Sequence, residues 1–340
     1  MSKDFKAVKV TIRQIAEQIG VSQSTVSRAL AGHPAISSAT RDRVATTARQ
    51  MDYRERSSAV REPPHRMIGV VISALQNQFY VQLLDGLHDE LLAQGYHMTL
   101  IIDSLSHNED YVAFEPLLSQ YLDGIVFTTA SLDNRMVKTL QETGLPVIIA
   151  VRAFEGLPFD TVEVDNIVAG RESVRHLIDL GHRNIGFIMG PKETSTSRDR
   201  HKGATKYLTS EGIRTDPNLT VWGGYTHASG YSALLTLMQQ PQPPTAIVCG
   251  NDTIAIGVLE AACKHGFDVP KDLSVIGFDD IPMAGWEMIR LTTIRQPTAE
   301  IAATAARRLV GRIRDPGLAP RHDVLPVNLV QRNTTASVRR

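Results

Sequence analysis

Between Thr11 and Leu30 the chain reads TIRQIAEQIGVSQSTVSRAL, with apolar residues recurring at helical spacing. At about 100° per residue, Ile12, Ile15, Ala16 and Ile19 share one helix face, opposite Arg13, Gln14, Glu17 and Gln18. Thr11, with Gln14 three residues on, forms a capping-box pattern; Gly20 supplies a stop and Ser22 a cap for a second helix. On that second helix Val26, Ala29 and Leu30 cluster, while Ser24, Ser27 and Arg28 point away and Gln23 sits in the first turn. A short helix with Gln, Ser and Arg on its exposed side suits the base edges of a DNA major groove. A third helix is expected over 35–53, capped by Ser37 or Ser38, with Ile36, Thr40, Val44, Ala48 and Met51 as its buried stripe. Three helices this short are stable only around one shared core.

The run RERSSAVREPPHR (54–66) is polar and basic, and Pro63-Pro64 forbids helix continuation, so it marks a boundary. From Met67 the pattern changes. Val/Ile-rich runs at 67–72, 97–102, 124–129 and 146–151 alternate with helical segments over 79–93 and 133–142. A second set begins near Thr161, with runs at 184–189, 245–250 and 273–278 and helices over 167–180, 197–211 and 253–265. Continuous apolar strands separated by amphipathic helices predict parallel sheets covered on both faces. Two such sets predict two doubly wound lobes, with a ligand crevice beyond the strand C-termini and between the lobes.

Charge sharpens this division. Residues 1–66 carry twelve Lys/Arg against six Asp/Glu, and the remainder 24 against 30, so a head of net +6 precedes a body of net −6. A basic head on a mildly acidic body fits a polyanion-binding module attached to a folded core. The two cysteines, Cys249 and Cys263, lie in apolar patterns and imply packing rather than a disulfide framework. The N-terminal MSKDFKAVKV has no apolar signal region and no run approaches a membrane span, which leads us to expect a cytoplasmic protein with no membrane partner. Neither GxGxxG nor GxxxxGK[ST] occurs, no G-x-S-x-G elbow is present, and no His/Cys spacing suits zinc. An enzyme is therefore not expected, nor any cofactor, metal or catalytic residue. His182, in a Gly-His-Arg turn, reads as a capping or packing residue.

The stretch VTIRQIAEQIGVSQSTVSRALAG resembles the DNA-binding head of the lactose-repressor (LacI/GalR) family of bacterial transcriptional regulators. The likeness continues through SSATRDRVATTARQMDY, MIGVVIS, NQFY, LDGIVF, the VDN at 164–166, GHRNIGFIMG, GNDTIAIGVLE, SVIGFDDI and LTTIRQP. It implies an all-α helix-turn-helix head on an α/β, periplasmic-binding-protein-like body of two doubly wound lobes. The expected division is a head over 1–53, a hinge over 54–66 and an effector-binding and dimerisation domain over 67–340. Within that domain, lobe 1 is expected over 67–161 and 291–320, and lobe 2 over 162–290 and 321–340. LTTIRQP and the helix after it are thus placed in the first lobe.

The resemblance also assigns residues. Gln23 and Ser24 match the family's variable base-reading pair and Arg28 its recognition-helix arginine, while Thr11, Ser22, Thr25 and Ser27 match positions that hold phosphates and cap helices. In the hinge Ala59 is retained, but Glu62 stands where the family has a leucine that wedges into the minor groove. A carboxylate is disfavoured there, so either Val60 supplies a smaller wedge or the heads alone carry binding. For the effector, Arg200, Asn251 and Asp279 match ligand-binding positions, and Gln78, Phe79 and Tyr225 are expected as wall and stacking surface. Where many members end a strand with aspartate, this chain has Val151 followed by Arg152, a change that hints at an acidic or phosphorylated ligand. The expected partners are a pseudo-palindromic double-stranded DNA operator, a carbohydrate-type small molecule (sugar, sugar derivative or nucleoside) and a second copy of the chain. The competing readings are a ligand-independent DNA-binding protein, a solute-binding protein and an α/β enzyme.

Overall fold

The computed structural model describes residues 12–30, 36–51, 65–73, 75, 77–102, 121–128, 140–141, 144–152, 156 and 158–338. It divides into two compact units, 1–63 and 64–340.

The smaller unit contains α1 (Ile12–Ile19), α2 (Gln23–Leu30) and α3 (Ser38–Gln50). Its core is Ile15, Ala16, Val26, Ala29, Val44 and Ala48, with Ile19, Val21, Ile36 and Met51 packed around it. Gly20 takes φ +70° and the Val21 amide donates back to the Ala16 carbonyl at 3.1 Å, which terminates α1 as the sequence predicts. The Ser22 hydroxyl then accepts from the Thr25 amide at 3.1 Å, capping α2. Of the two candidate caps for α3 it is Ser37 that accepts, from the Thr40 amide at 3.3 Å. Arg43 of α3 donates to the Ile19 carbonyl, tying the third helix to the end of the first.

The larger unit holds two six-stranded sheets. In chain order its first elements are β1 (Met67–Ile72), α4 (Gln78–Ala93), β2 (His97–Ile102), β3 (Gly124–Phe127), β4 (Val147–Ala150) and β5 (Asp160–Val164). Then come α5 (Asn166–Asp179), β6 (Ile185–Met189), α6 (Ser195–Ser210), β7 (Thr220–Trp222), α7 (His227–Met238), β8 (Ala246–Cys249), α8 (Asp252–Lys264) and β9 (Ser274–Asp279). The last are β10 (Thr292–Arg295), α9 (Thr298–Arg314), β11 (His322–Leu325) and β12 (Asn328–Val330). The first sheet runs β11-β5-β4-β3-β1-β2, all parallel; the second runs β12-β10-β9-β8-β6-β7, parallel except for the edge strand β12. Both sheets therefore share one doubly wound order. Strands β3, β4 and β8 are buried throughout, as expected of short apolar runs covered on both faces.

The sheets correct the expected lobe boundaries. Strand β5, up to Val164, still belongs to the first sheet; Thr292–Arg295 of the LTTIRQP segment pairs with β9 in the second; and His322–Leu325 returns to the first. The chain thus crosses between lobes at 165–166, 296–297 and 326–327, a few residues after each expected point. Apolar periodicity identifies a strand but not the sheet it joins, so LTTIR was assigned with the helix that follows it. That helix, α9, does pack on α4, β3, β4 and β5 of the first lobe. The expected helix over 133–142 falls outside the described residues except at its end.

Candidate functional site

In the head unit, α2 buries Val26 and Ala29 and leaves Gln23, Ser24 and Arg28 exposed. The Ser22 hydroxyl is also bonded to the hydroxyls of Ser24 and Thr25, at 2.8 Å each, so these three groups form one polar ridge at the helix start. Thr11, Ala59 and Val60, and the side chain of Ser27, lie outside the described residues. What α2 presents is a row of short hydroxyls beside an amide fork and a guanidinium, which can donate to phosphate oxygens and pair with the donors and acceptors of base edges.

In the body, a cavity of about 230 Å³ opens at the C-terminal ends of the strands of both sheets. Ser73 follows β1, Arg152 follows β4, Pro191 follows β6, Asn251 follows β8, Asp279 ends β9 and Gln296 follows β10. This is where open α/β sheets present ligand groups, because neighbouring connections diverge at the strand ends. Three of the residues here have positive φ: Val151 at 74°, Asp279 at 118° and Asp280 at 58°. For a β-branched valine that is a strained conformation, and it turns the chain at the end of β4 just where Arg152 begins.

Arg200 is 5% exposed. Its Nε donates to Asn166 Oδ1 at 2.9 Å and its Nη1 to the Gly250 carbonyl at 2.7 Å, and its guanidinium lies 3.4 Å from the centre of the Phe278 ring. The helices make this possible through paired glycines. A Cβ on Gly170 would stand 1.9 Å from the Arg200 carbonyl oxygen, and one on Gly203 2.0 Å from that of Ile167. Only the absence of both side chains lets α5 and α6 cross closely enough for Asn166 to reach Arg200.

Asp279 Oδ1 accepts from Gln296 Nε2 at 2.7 Å. Burial pushes its carboxyl up to about 6, against the opposing pull of Arg200 and the Gln296 bond. Burial, and then the charge of Asp279, also push the fully buried Asp252 carboxyl well up, although Thr293 Oγ1 and the Ile281 amide donate to it at 2.6 and 2.9 Å. Asn251 caps α8, its Oδ1 accepting from the Ile254 amide at 2.9 Å, while its buried Nδ2 has no partner among the described residues. The Tyr225 hydroxyl meets those of Ser197 at 2.7 Å and Thr196 at 2.9 Å. Burial raises the Tyr225 pKa, but Arg200 and Arg152 outweigh it and leave the phenol lowered. Arg152, 5% exposed, reaches from the first lobe to the second: Nε donates to the Thr128 carbonyl and Nη1 to Thr196 Oγ1, both at 3.1 Å.

Of the seven expected effector residues, Arg152, Arg200, Tyr225, Asn251 and Asp279 line this cavity; Gln78 and Phe79 do not. Phe79 is 3% exposed and starts the core stripe of α4 that continues through Leu83, Leu87 and Leu91. Four-residue spacing carries it into the core, and the neighbours Asn77 and Tyr80 face the cavity instead. Sequence reasoning also missed Ser73, Thr196 and Gln296, and the support given by Asn166. Asn77 had a legible signal, an Asn directly before an apolar helix, and it does cap α4 by accepting from the Phe79 amide. His182 bonds Thr245, Ser274 and the Ala336 carbonyl, 2.9–3.0 Å away, and burial lowers its pKa, so it knits the C-terminal segment to the sheet. Cys249 is buried as expected, whereas Cys263 is exposed. Among the described residues no helix is long and apolar enough to cross a membrane.

Residues 11–55 match the family described as bacterial regulatory proteins, lacI family, and residues 174–335 match a periplasmic binding protein-like domain. The chain is 32% identical over 307 residues to catabolite control protein A of Priestia megaterium, covering 89% of this chain and 92% of that protein. It is 31% identical over 331 residues to the HTH-type transcriptional repressor CytR of Escherichia coli strain K12, covering 96% and 97%. Among solved structures, the transcriptional regulator CelR in complex with cellobiose superposes with a TM-score of 0.74 at 27% identity, over 96% of this chain and 100% of that one. A LacI family regulator from Enterococcus faecium with bound ribose gives 0.73 at 27% identity, over 80% and 100%.

Proposed function

This chain belongs to the LacI family of bacterial regulatory proteins, and on that premise we propose that it is a cytoplasmic, homodimeric repressor whose operator affinity is set by a carbohydrate-type metabolite bound between its lobes. Gln23, Ser24 and Arg28 read bases, and the hydroxyls around Ser22 hold phosphates. Two heads on a two-fold axis read a pseudo-palindromic operator. Val81 and Leu92, exposed on α4, support that helix as part of the dimer contact. The bound sugar and disaccharide of the two structural neighbours support a sugar or sugar derivative as the metabolite.

The observation that carries the reading is the position of the groups that hold the ligand-facing charges. Asn166, which fixes Arg200, stands at the first crossing between lobes, and Gln296, which fixes Asp279, stands at the second. A ligand that pulls on Arg200 and Asp279 therefore acts on the segments about which the lobes turn, and lobe closure is the change passed on to the heads. The coupling is reciprocal: a metabolite that weakens DNA binding binds less well to the DNA-bound protein. The test is fluorescence anisotropy of full-length protein on a selected duplex during addition of sugars. A shift in operator affinity with at least one sugar is expected; an affinity unmoved by every sugar tried would leave a ligand-independent DNA-binding protein instead.

A further inference from the structure

Arg152 and Arg200 enter the same small cavity from opposite lobes, and both are about 95% buried, with 5% exposure each. Among the described residues neither forms an ion pair. Arg152 spends its bonds on a carbonyl and a hydroxyl, and Arg200 on an amide oxygen and a carbonyl. These neutral acceptors take up two N–H groups of each guanidinium and do not balance its charge, and a buried charge without a counter-charge is costly. Among the described residues lining the cavity Asp279 is the one carboxylate; it opposes the charge of Arg200 while accepting from the neutral Gln296 amide, so two cations face one carboxylate. The remaining polar groups are hydroxyls and amides, and among the described residues the Gln296 Oε1 acceptor is buried without a partner. Among the described residues the Asn251 Nδ2 donor is also buried without a partner, and the 16-residue helix α6 brings Thr196 to the cavity at its N-terminal, electropositive end.

The missing component is negative. Resting on the metabolite-binding reading above, we infer that the cavity takes a monosaccharide-sized ligand bearing an anionic oxygen group, a carboxylate or a phosphate, which Arg152 and Arg200 clamp from the two lobes. At about 230 Å³ the cavity falls below the roughly 300–1,000 Å³ of sites for drug-sized ligands, which limits the occupant to about one sugar ring. Closure brings two like charges toward each other in a medium of low polarity, and an anion between them reverses the sign of that interaction. Guanidinium forks favour carboxylate and phosphate over hydroxyl because the charge-assisted bonds are the stronger ones. A neutral sugar would leave two cations facing the single carboxylate of Asp279. The anion is thus what holds the lobes closed.

The test is titration calorimetry of full-length protein with D-glucose, D-glucuronate, D-glucose 6-phosphate and inorganic phosphate. One of the two acids is expected to bind at least about tenfold more tightly than glucose, the equivalent of about 1.4 kcal/mol, with the better acid distinguishing carboxylate from phosphate. Arg152→Gln is expected to shrink that preference to within about threefold. Glucose binding as tightly as both acids would overturn the anion inference and leave the metabolite-controlled regulator standing. Silence from all four probes would overturn the inference and the carbohydrate reading together. The wild-type comparison decides the anion without the variant, so a variant that failed to fold would not obscure the result; an Arg152→Gln protein that kept its preference would remove Arg152 from the clamp.

Discussion

The two lobes have the same strand order yet contribute to the cavity in different ways. The second lobe supplies a finished half-site. Arg200 is fixed by Asn166, Gly250 and the Phe278 ring, Asp279 by Gln296, Asn251 by its own helix and Tyr225 by the hydroxyls of Ser197 and Thr196. The first lobe supplies fewer anchored groups. Tyr80 meets Ser73 at 3.2 Å and the Thr128 carbonyl at 3.4 Å, both long for bonds to a hydroxyl, and Arg152 completes its bonding only by reaching Thr196 across the cleft. Equal topology therefore does not mean equal preorganisation. The second lobe holds its cavity groups through bonds of its own, and the first reaches across to it through Arg152.

The most damaging way to break this asymmetry is to separate α5 from α6. Gly170→Val would drive a side chain into the Arg200 carbonyl, and we expect a loss of at least about 1–3 kcal/mol of stability in urea unfolding, with metabolite binding abolished. The equivalent insult to the other end of the protein is Arg28→Ala. It should cost about 1–3 kcal/mol, or roughly fivefold to 150-fold, in operator affinity with metabolite affinity unchanged; equal loss of both would mean misfolding. Tyr225→Phe removes one hydroxyl from the second lobe's cluster and should lower stability by about 1 kcal/mol while weakening metabolite binding only several-fold.

A separate effect is expected on the pH dependence of stability. Asp279 rises from an ordinary 3.8 to about 6 because it is buried. Between those values the folded protein binds a proton that the unfolded chain does not. Its contribution is complete below about pH 4, is lost as the pH climbs to about 6, and is constant above that. Buried Asp252 shifts in the same direction, with Arg200 the nearby charge opposing the shift at Asp279. Asp279→Asn should therefore flatten the urea stability profile between pH 4 and 6, and an unchanged slope would assign that titration elsewhere.

Legibility in the sequence follows the same line between local and non-local causes. The head could be read closely because its caps, its glycine stop and its buried stripe all act within a few residues of one another. Ser22, Gly20, Val44 and Ala48 do what their spacing implies. The body's strands were legible as strands, but their sheet membership depends on pairing between distant segments, so Thr292–Arg295 was placed in the wrong lobe. Within the cavity, the charged groups stood out by type. Their supports did not: Asn166 and Gln296 have no local signature, and their roles come from partners 34 and 17 residues away. Phe79 was misplaced because an aromatic near a site suggests stacking, whereas its spacing to Leu83 and Leu87 already assigned it to the core.

The central claim is that a two-fold pair of heads reads a specific operator under control of the closing lobes. Its most direct test is selection of bound duplexes from a random DNA library by full-length protein near physiological salt, run with and without glucose, glucuronate and glucose 6-phosphate. The account predicts enrichment of one two-fold symmetric motif whose recovery changes when a sugar that binds the cavity is present. Motif-free binding that simply fades with salt in every condition would contradict it.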